Sequence, residues 1–293
     1  MGRAVFTGRF MPSGTAVRPI DPLILAQSRT TISFLIMLPI LLLRRGKGGL
    51  ALPWFDVVRI SLLGTIGVAA SNYLYYLAIQ KTNVATAIIL QYTAPAWVLL
   101  YMVARGFQKP SASRVMAVGL AVGGSAMAIG VIGPGSFTIN LSGLVAAILA
   151  SFSFAFYNIG GHDILARYNR WTVLLYTLAC AALFWILVNP PWRIAAAHYG
   201  PTEWLFLLVF AVTSVLLPFS LYFAGLQHLD ATRAIVASCL EPVFSIVIAA
   251  IVLGEIMRPM QAIGMVVVLT AIILVQMPDR VTHETTTVVE PIE

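Results

Sequence analysis

Two stretches decide how this chain is read: Asn83-Val84-Ala85-Thr86-Ala87-Ile88-Ile89-Leu90-Gln91-Tyr92-Thr93-Ala94-Pro95 and Ala231-Thr232-Arg233-Ala234-Ile235-Val236-Ala237-Ser238-Cys239-Leu240-Glu241-Pro242. Both lie in long apolar blocks, and both carry a proline where a helix crossing lipid would be near its middle. A shift of 147 positions, from Pro95 to Pro242, brings them together. In that register Leu74, Tyr75, Gln80, Ala87 and Ile88 meet Leu221, Tyr222, Gln227, Ala234 and Ile235. Five apolar blocks separate the matched pieces, an odd number, so the second copy crosses the membrane in the opposite sense. Inverted repeats of this kind mark secondary carriers, whose binding sites sit between the repeats.

The rest of the chain agrees with a membrane solvent. Of its 293 residues 59% are hydrophobic and only 10% charged, with a mean hydropathy of +0.91. A water-soluble surface needs about 25% charged residues. The apolar residues fall in blocks at 23–43, 57–79, 84–104, 114–132, 141–162, 171–189, 203–226, 231–253 and 260–277. At about 1.5 Å per residue such blocks cross a hydrocarbon core about 30 Å thick. Lipid offers the backbone no hydrogen bonds, so the crossings are helices. The alternation of an outer-membrane barrel is absent. The expected fold is an all-α membrane protein with nine full transmembrane helices.

Lys and Arg give the orientation. Arg44, Arg45, Lys47, Arg59, Arg105, Lys109, Arg114, Arg167, Arg170, Arg233 and Arg280 fall on one side, against Lys81, Arg193 and Arg258 between helices on the other. The first side is expected to be cytoplasmic, with the C-terminus inside. The net charge of +7 sits in short loops and forms no continuous patch, so no nucleic-acid partner is expected. Residues 1–22 lack the apolar run of a cleavable signal peptide. Cys180 and Cys239 lie within apolar blocks and read as free thiols.

The paired stretches, with Leu253-Gly254-Glu255 downstream, resemble the paired repeats of the EamA family in the drug/metabolite transporter superfamily. The resemblance covers nearly the whole chain from residue 20 onward. It implies ten helices in two inverted five-helix repeats, and export or exchange of amino acids and related metabolites across the inner membrane. Residues 1–132 would form the first repeat, 141–277 the second, and 278–293 a disordered cytoplasmic tail. Family members begin with a complete helix that often carries a Trp-Gly pair. Here Phe6-Thr7-Gly8-Arg9-Phe10-Met11-Pro12-Ser13-Gly14 looks like the latter half of one, so a short remnant of a tenth helix from a truncated start is expected.

Glu241 is the leading candidate for function. A carboxylate near the bilayer midplane costs at least about 2.5 kcal/mol, so it should face protein or water. Ser238, Glu241, Pro242 and Ser245 share one face at helical spacing. Glu241 is therefore a candidate for substrate binding and for proton coupling, or else a structural carboxylate. Pro95 and Pro242 each remove a backbone hydrogen bond, and breaks at corresponding positions of two halves point to a carrier's site. Asn72, Tyr75 and Tyr76 share a face, Tyr222 is the partner of Tyr75, and Gln91, Tyr92, Trp97 and Tyr101 could complete an aromatic lining. The alternative for these rings is an interfacial belt. Gly143, Ala147, Ser151 and Ala155 form a small-residue packing stripe that continues to Asn158 and His162. Gly119 and Gly123 form a GxxxG with packing as its default role. Arg29 is expected to snorkel to the outer interface, an anion-attracting role being the alternative.

Motifs for other chemistry are absent: no Walker A loop, no His-Glu-x-x-His, no Gly-x-Ser-x-Gly and no Cys-x-x-Cys. No cofactor or metal is expected, and the chain is not read as an enzyme. The sequence points to a secondary transporter of small organic solutes working by alternating access, with the lipid bilayer and a small-molecule substrate as partners. Protons are the candidate coupling ion, and a homodimer is compatible with the sequence. The alternatives are a non-transporting scaffold or sensor, and an enzyme acting on lipid-linked substrates.

Overall fold

The computed structural model describes residues 20–45, 50–82, 84–109, 111–129, 140–253 and 258–276. Every long element among them is a helix, and no strand occurs among the described residues. In chain order these are α1 (Pro22–Arg45), α2 (Trp54–Lys81), α3 (Val84–Gln91), α4 (Ala94–Ala104), α5 (Ala112–Ala128), α6 (Leu141–Leu165), α7 (Arg170–Val188), α8 (Pro191–Ala196), α9 (Pro201–Leu226), α10 (Ala231–Ser238), α11 (Leu240–Leu253) and α12 (Pro259–Gln276). Among the described residues eight segments are long and apolar enough to cross a membrane, α3 with α4 and α10 with the first part of α11 each counting as one. The block expected at 114–132 contains α5, a helix of 17 residues. The expected remnant of a tenth helix, the C-terminal tail, the Gly133–Ser136 loop and Gly254-Glu255 lie outside the described residues.

Local chemistry sets the helix starts. Asn140 accepts from the backbone N–H groups of Ser142 and Gly143, Asn169 from that of Trp171, and Asp230 from that of Arg233. Each satisfies donors that a first helical turn leaves open. Proline begins α8 and α9, where its missing N–H costs nothing. The short α8 was not among the expected elements; it is too short to show a helical period.

Two kinds of interruption position the interior. Residues 63–70 within α2 and 212–216 within α9 are π-helical. The chain breaks its helix at Tyr92-Thr93, between α3 and α4, and again at Cys239, between α10 and α11. The spacing of 147 relates Tyr92 to Cys239, Ala112 to Pro259 at the starts of α5 and α12, and 65–69 to 212–216. Because of the break, α10 and α11 do not form the single regular helix on which the shared face of Ser238, Glu241 and Pro242 was reasoned. Proline explains the breaks: Pro95 and Pro242 cannot donate to the carbonyls of Gln91 and Ser238, and their rings clash there.

Packing is closest between α5 and α12. A methyl group on Gly264 would stand 2.3 Å from the Ala128 nitrogen and 2.7 Å from the Gly124 carbonyl oxygen, so the two backbones nearly touch. Gly119 and Gly123, the expected packing pair, are exposed with open space beside them. They lie on the opposite side of α5 from its partner, which a motif read along one helix cannot reveal. The stripe Gly143, Ala147, Ser151, Ala155 is buried along its length, and Gly143 packs against Lys81 and Thr82. The main core joins α2, α6, α7 and α9 around Leu63, Leu174, Leu178, Trp185, Phe223 and Leu226. Outward faces stay apolar, as at Leu43, Leu187 and Ile251, and such surfaces belong in hydrocarbon.

Candidate functional site

The two helix breaks face each other. Tyr92, in the first break, donates its phenol hydrogen to the Glu241 carboxylate, in the first turn after the second break, at 3.1 Å. This bond joins residues 149 positions apart and bridges α3–α4 to α10–α11. Glu241 keeps accessible surface, so its carboxylate is not sealed into packing.

Arg29 of α1 is bound to α2. Its guanidinium donates to the Asn72 side-chain oxygen at 2.7 Å, and the Asn72 amide donates in turn to the Val68 carbonyl at 2.7 Å. Asn72 lies nine residues from Lys81 at the helix end, roughly 13 Å along the axis. The guanidinium is thus tied to α2 by a hydrogen bond. Its Nε is buried with no hydrogen-bond partner among the described residues. Arg29 and Glu241 are thus each fixed by a hydrogen bond to a side chain of the first half of the chain, Asn72 and Tyr92. The π stretch ends just before Asn72, and such bulges widen a helix and re-aim the side chains that follow.

The remaining candidates divide. Tyr76 packs beside Tyr75, ring centroids 5.9 Å apart, and turns into the main core. Gln91 is half-buried at the end of α3. Pro95 and Pro242 are buried and act through the backbone. Ser238 spends its hydroxyl on the Ile235 carbonyl at 2.7 Å, one turn back in its own helix. The side chain of Ser245 lies outside what the structure describes. Asn158 is fully buried and donates to the Tyr222 hydroxyl, with Tyr157 stacked on Tyr222 at 5.9 Å. The Asn158 carbonyl oxygen and the Tyr157 hydroxyl have no hydrogen-bond partner among the described residues. The expected aromatic lining splits: Trp97 stacks on Phe152 at 4.2 Å and Tyr101 packs near Phe107 at 6.3 Å, both in a separate groove.

The sequence singled out Arg29, since a charged residue inside a span belongs to a partner by default, but did not name its partner Asn72. The Thr93–Ser151 hydroxyl pair, at 2.9 Å, ties the first break to the small-residue stripe and has no signal in either segment alone. No cluster suited to a metal ion occurs among the described residues, and both cysteines are free.

Comparison with known proteins adds to this geometry. The profile of the EamA-like transporter family matches residues 5–130 and 141–277. An uncharacterized inner membrane transporter, YicL of Salmonella typhimurium, is 24% identical over 227 residues, 77% of this chain and 75% of the relative. An uncharacterized transporter of Archaeoglobus fulgidus is 24% identical over 283 residues, 92% and 93% of the two chains. The threonine/homoserine exporter RhtA of Escherichia coli is 26% identical over 211 residues, 70% and 67%. A solved crystal structure shares the fold with a TM-score of 0.72 at 19% identity, covering 88% of each chain.

Proposed function

The chain belongs to the EamA-like transporter family, and from that premise we propose that it is a secondary transporter of small organic metabolites, amino acids foremost. Two inverted five-helix repeats, 1–132 and 141–277, would alternate access to a site between them. The substrate would bind between the broken helices, with Asn72, Tyr75, Tyr92 and Glu241 around it and Gln91, Tyr222 and Ser238 at its margins. Tyr76 and Asn158 would hold these side chains in place.

The observation that carries this reading is the opposed pair of charges. Arg29, held by Asn72, offers two-pronged donors to a carboxylate. Glu241, held by Tyr92, offers an acceptor to an ammonium group. A zwitterion satisfies both at once, whereas a neutral solute leaves two desolvated charges without partners and is rejected. The relative named a threonine/homoserine exporter handles molecules of this kind. Glu241 is also the candidate carrier of a coupling proton, because a carboxylate in mid-membrane binds and releases one at low cost when its partner changes. The chain would reside in the inner membrane with its C-terminus in the cytoplasm, and would export or exchange its substrate.

Counterflow in proteoliposomes loaded with unlabelled amino acids is the test. Accumulation of labelled threonine or another α-amino acid is expected, with no accumulation of its amide or N-acetyl derivative. Equal handling of zwitterion and blocked derivatives overturns the charge-pair reading. Lack of counterflow for the whole set leaves the chain a scaffold or sensor.

A further inference from the structure

A second concavity lies away from the charge pair, and none of its lining residues belongs to it. It runs between α4 and α6 toward the end of the bundle that bears Arg59 and Arg105, and encloses about 1160 Å³. This exceeds the roughly 300–1,000 Å³ usual for small-molecule pockets. Its deep walls are Trp97, Leu100, Phe152 and Phe156. Leu100, Phe152 and Phe156 are exposed, 61%, 44% and 40%, on the outside of the bundle, so the groove opens sideways into lipid. From Phe152 to Asp163 it follows eleven residues of α6, roughly 16 Å, half of a 30 Å hydrocarbon core. That is the depth of one leaflet.

Its shallow end is charged, and the charges are unequal. Asp163 is engaged by Arg167 at 3.3 Å and by Arg59 at 4.0 Å; Asp230 caps α10 and pairs with Arg233 at 3.3 Å. The acids at the mouth are thus already neutralised. Arg105, at the C-terminal end of α4, makes no ion pair among the described residues and rests near the Phe107 ring at 6.0 Å. Arg59 lies between Asp56, at 3.7 Å, and Asp163, at 4.0 Å, with its guanidinium 4.4 Å from the Phe55 ring centroid, so Arg105 is the cation left for a ligand. An amphiphile with an acyl chain against Phe152 and Phe156 and an anionic head at Arg105 fits both ends.

We propose that this groove is a binding site for an anionic phospholipid of the leaflet on the basic side, with the phosphate on Arg105 and one acyl chain along α4 and α6. Basic pockets between transmembrane helices on the cytoplasmic side take such headgroups. The site is independent of the transported solute: it faces lipid, while the charge pair faces the helix breaks.

Native mass spectrometry of the full-length protein, released from nanodiscs holding equal phosphatidylglycerol and phosphatidylcholine, tests this. Retention of one phosphatidylglycerol in preference to phosphatidylcholine is expected. Arg105→Gln should lower that preference about five-fold, and Arg105→Lys should restore most of it. Arg44→Gln, an exposed arginine on α1 away from the groove, should leave it unchanged. All three variants must elute as the unaltered protein does. Equal retention of the two lipids, an equal loss in Arg44→Gln, displacement by millimolar inorganic phosphate, or a lipid-free dimer covering the groove would each overturn the proposal.

Discussion

At Tyr92 and at Cys239 two helices stop and restart three residues ahead of a proline, yet the side chains offered there are unlike. The first break presents a phenol and a hydroxyl: Tyr92 reaches Glu241, and Thr93 is tied to Ser151. The second presents a fully buried thiol, whose hydrogen is directed at the Ile235 carbonyl, and a carboxylate two residues on. Where the second copy has Glu241 the first has Ala94, wholly buried. Proline geometry is set by the backbone and survives divergence; the chemistry hung on it need not. Breaks with like backbones and unlike side chains are not equivalent, and a solute bound between them, as proposed, would be held in one orientation.

Removing the carboxylate breaks this asymmetry most. Glu241→Gln should cut amino-acid counterflow by roughly 10- to 100-fold, since hydrogen bonds to charged groups are worth about 1.5–3 kcal/mol, while elution and thermal unfolding stay as in the unaltered protein. If Glu241 carries the coupling proton, the variant's flux becomes independent of pH; a pH profile unchanged by the substitution takes Glu241 out of the coupling step.

The comparison extends to α5 and α12, which start 147 positions apart and pack on each other. The position matching Gly264 in α5 is Ala117, buried with its methyl group accommodated. Gly264→Ala instead pushes a methyl into backbone and should destabilise by about 1–3 kcal/mol, read as a lowered unfolding temperature in detergent. Gly119→Ala, in open space, should fall within about 0.5 kcal/mol of no change. A stable Gly264→Ala protein would mean that α5 and α12 separate at no cost.

Tyr92→Phe keeps the ring and deletes the donor to Glu241. A loss of about 1 kcal/mol, roughly five-fold in counterflow, is expected, with the preference for zwitterions retained. A loss as large as that of Glu241→Gln would show the two side chains acting as one unit. The smallest effect belongs to Thr93→Val, which frees the Ser151 hydroxyl. It should lower the unfolding temperature by roughly 2–4 °C and leave the substrate range alone.

Much of this was readable in one dimension. Apolar blocks located eight long apolar helices to within a few residues, the ninth block, 114–132, holding a helix of only 17 residues, and paired prolines located both breaks. Glu241 stood out because a carboxylate in hydrocarbon demands a reason. What could not be read concerns facing. Gly119 and Gly123 have the right spacing for contact but lie on the wrong side of α5, while Gly124, one residue along, carries the contact. Trp97 and Tyr92 sit in one aromatic run, yet across the break between α3 and α4 Trp97 lines the lateral groove while Tyr92 bonds to Glu241. Arg29 read as an interfacial residue from its distance to the helix end; its bond to Asn72 depends on how α1 and α2 are rotated against each other.

Transfer energies and proline sterics act residue by residue along the chain, and so the membrane class, the helix breaks and the candidacy of position 241 follow from the order of amino acids alone. The meeting of Tyr92 with Glu241, of Arg29 with Asn72 and of Gly264 with Ala128 arises from the mutual depth and rotation of packed helices. Those quantities come from the summed fit of many side chains, each contributing too little to be seen in any one segment.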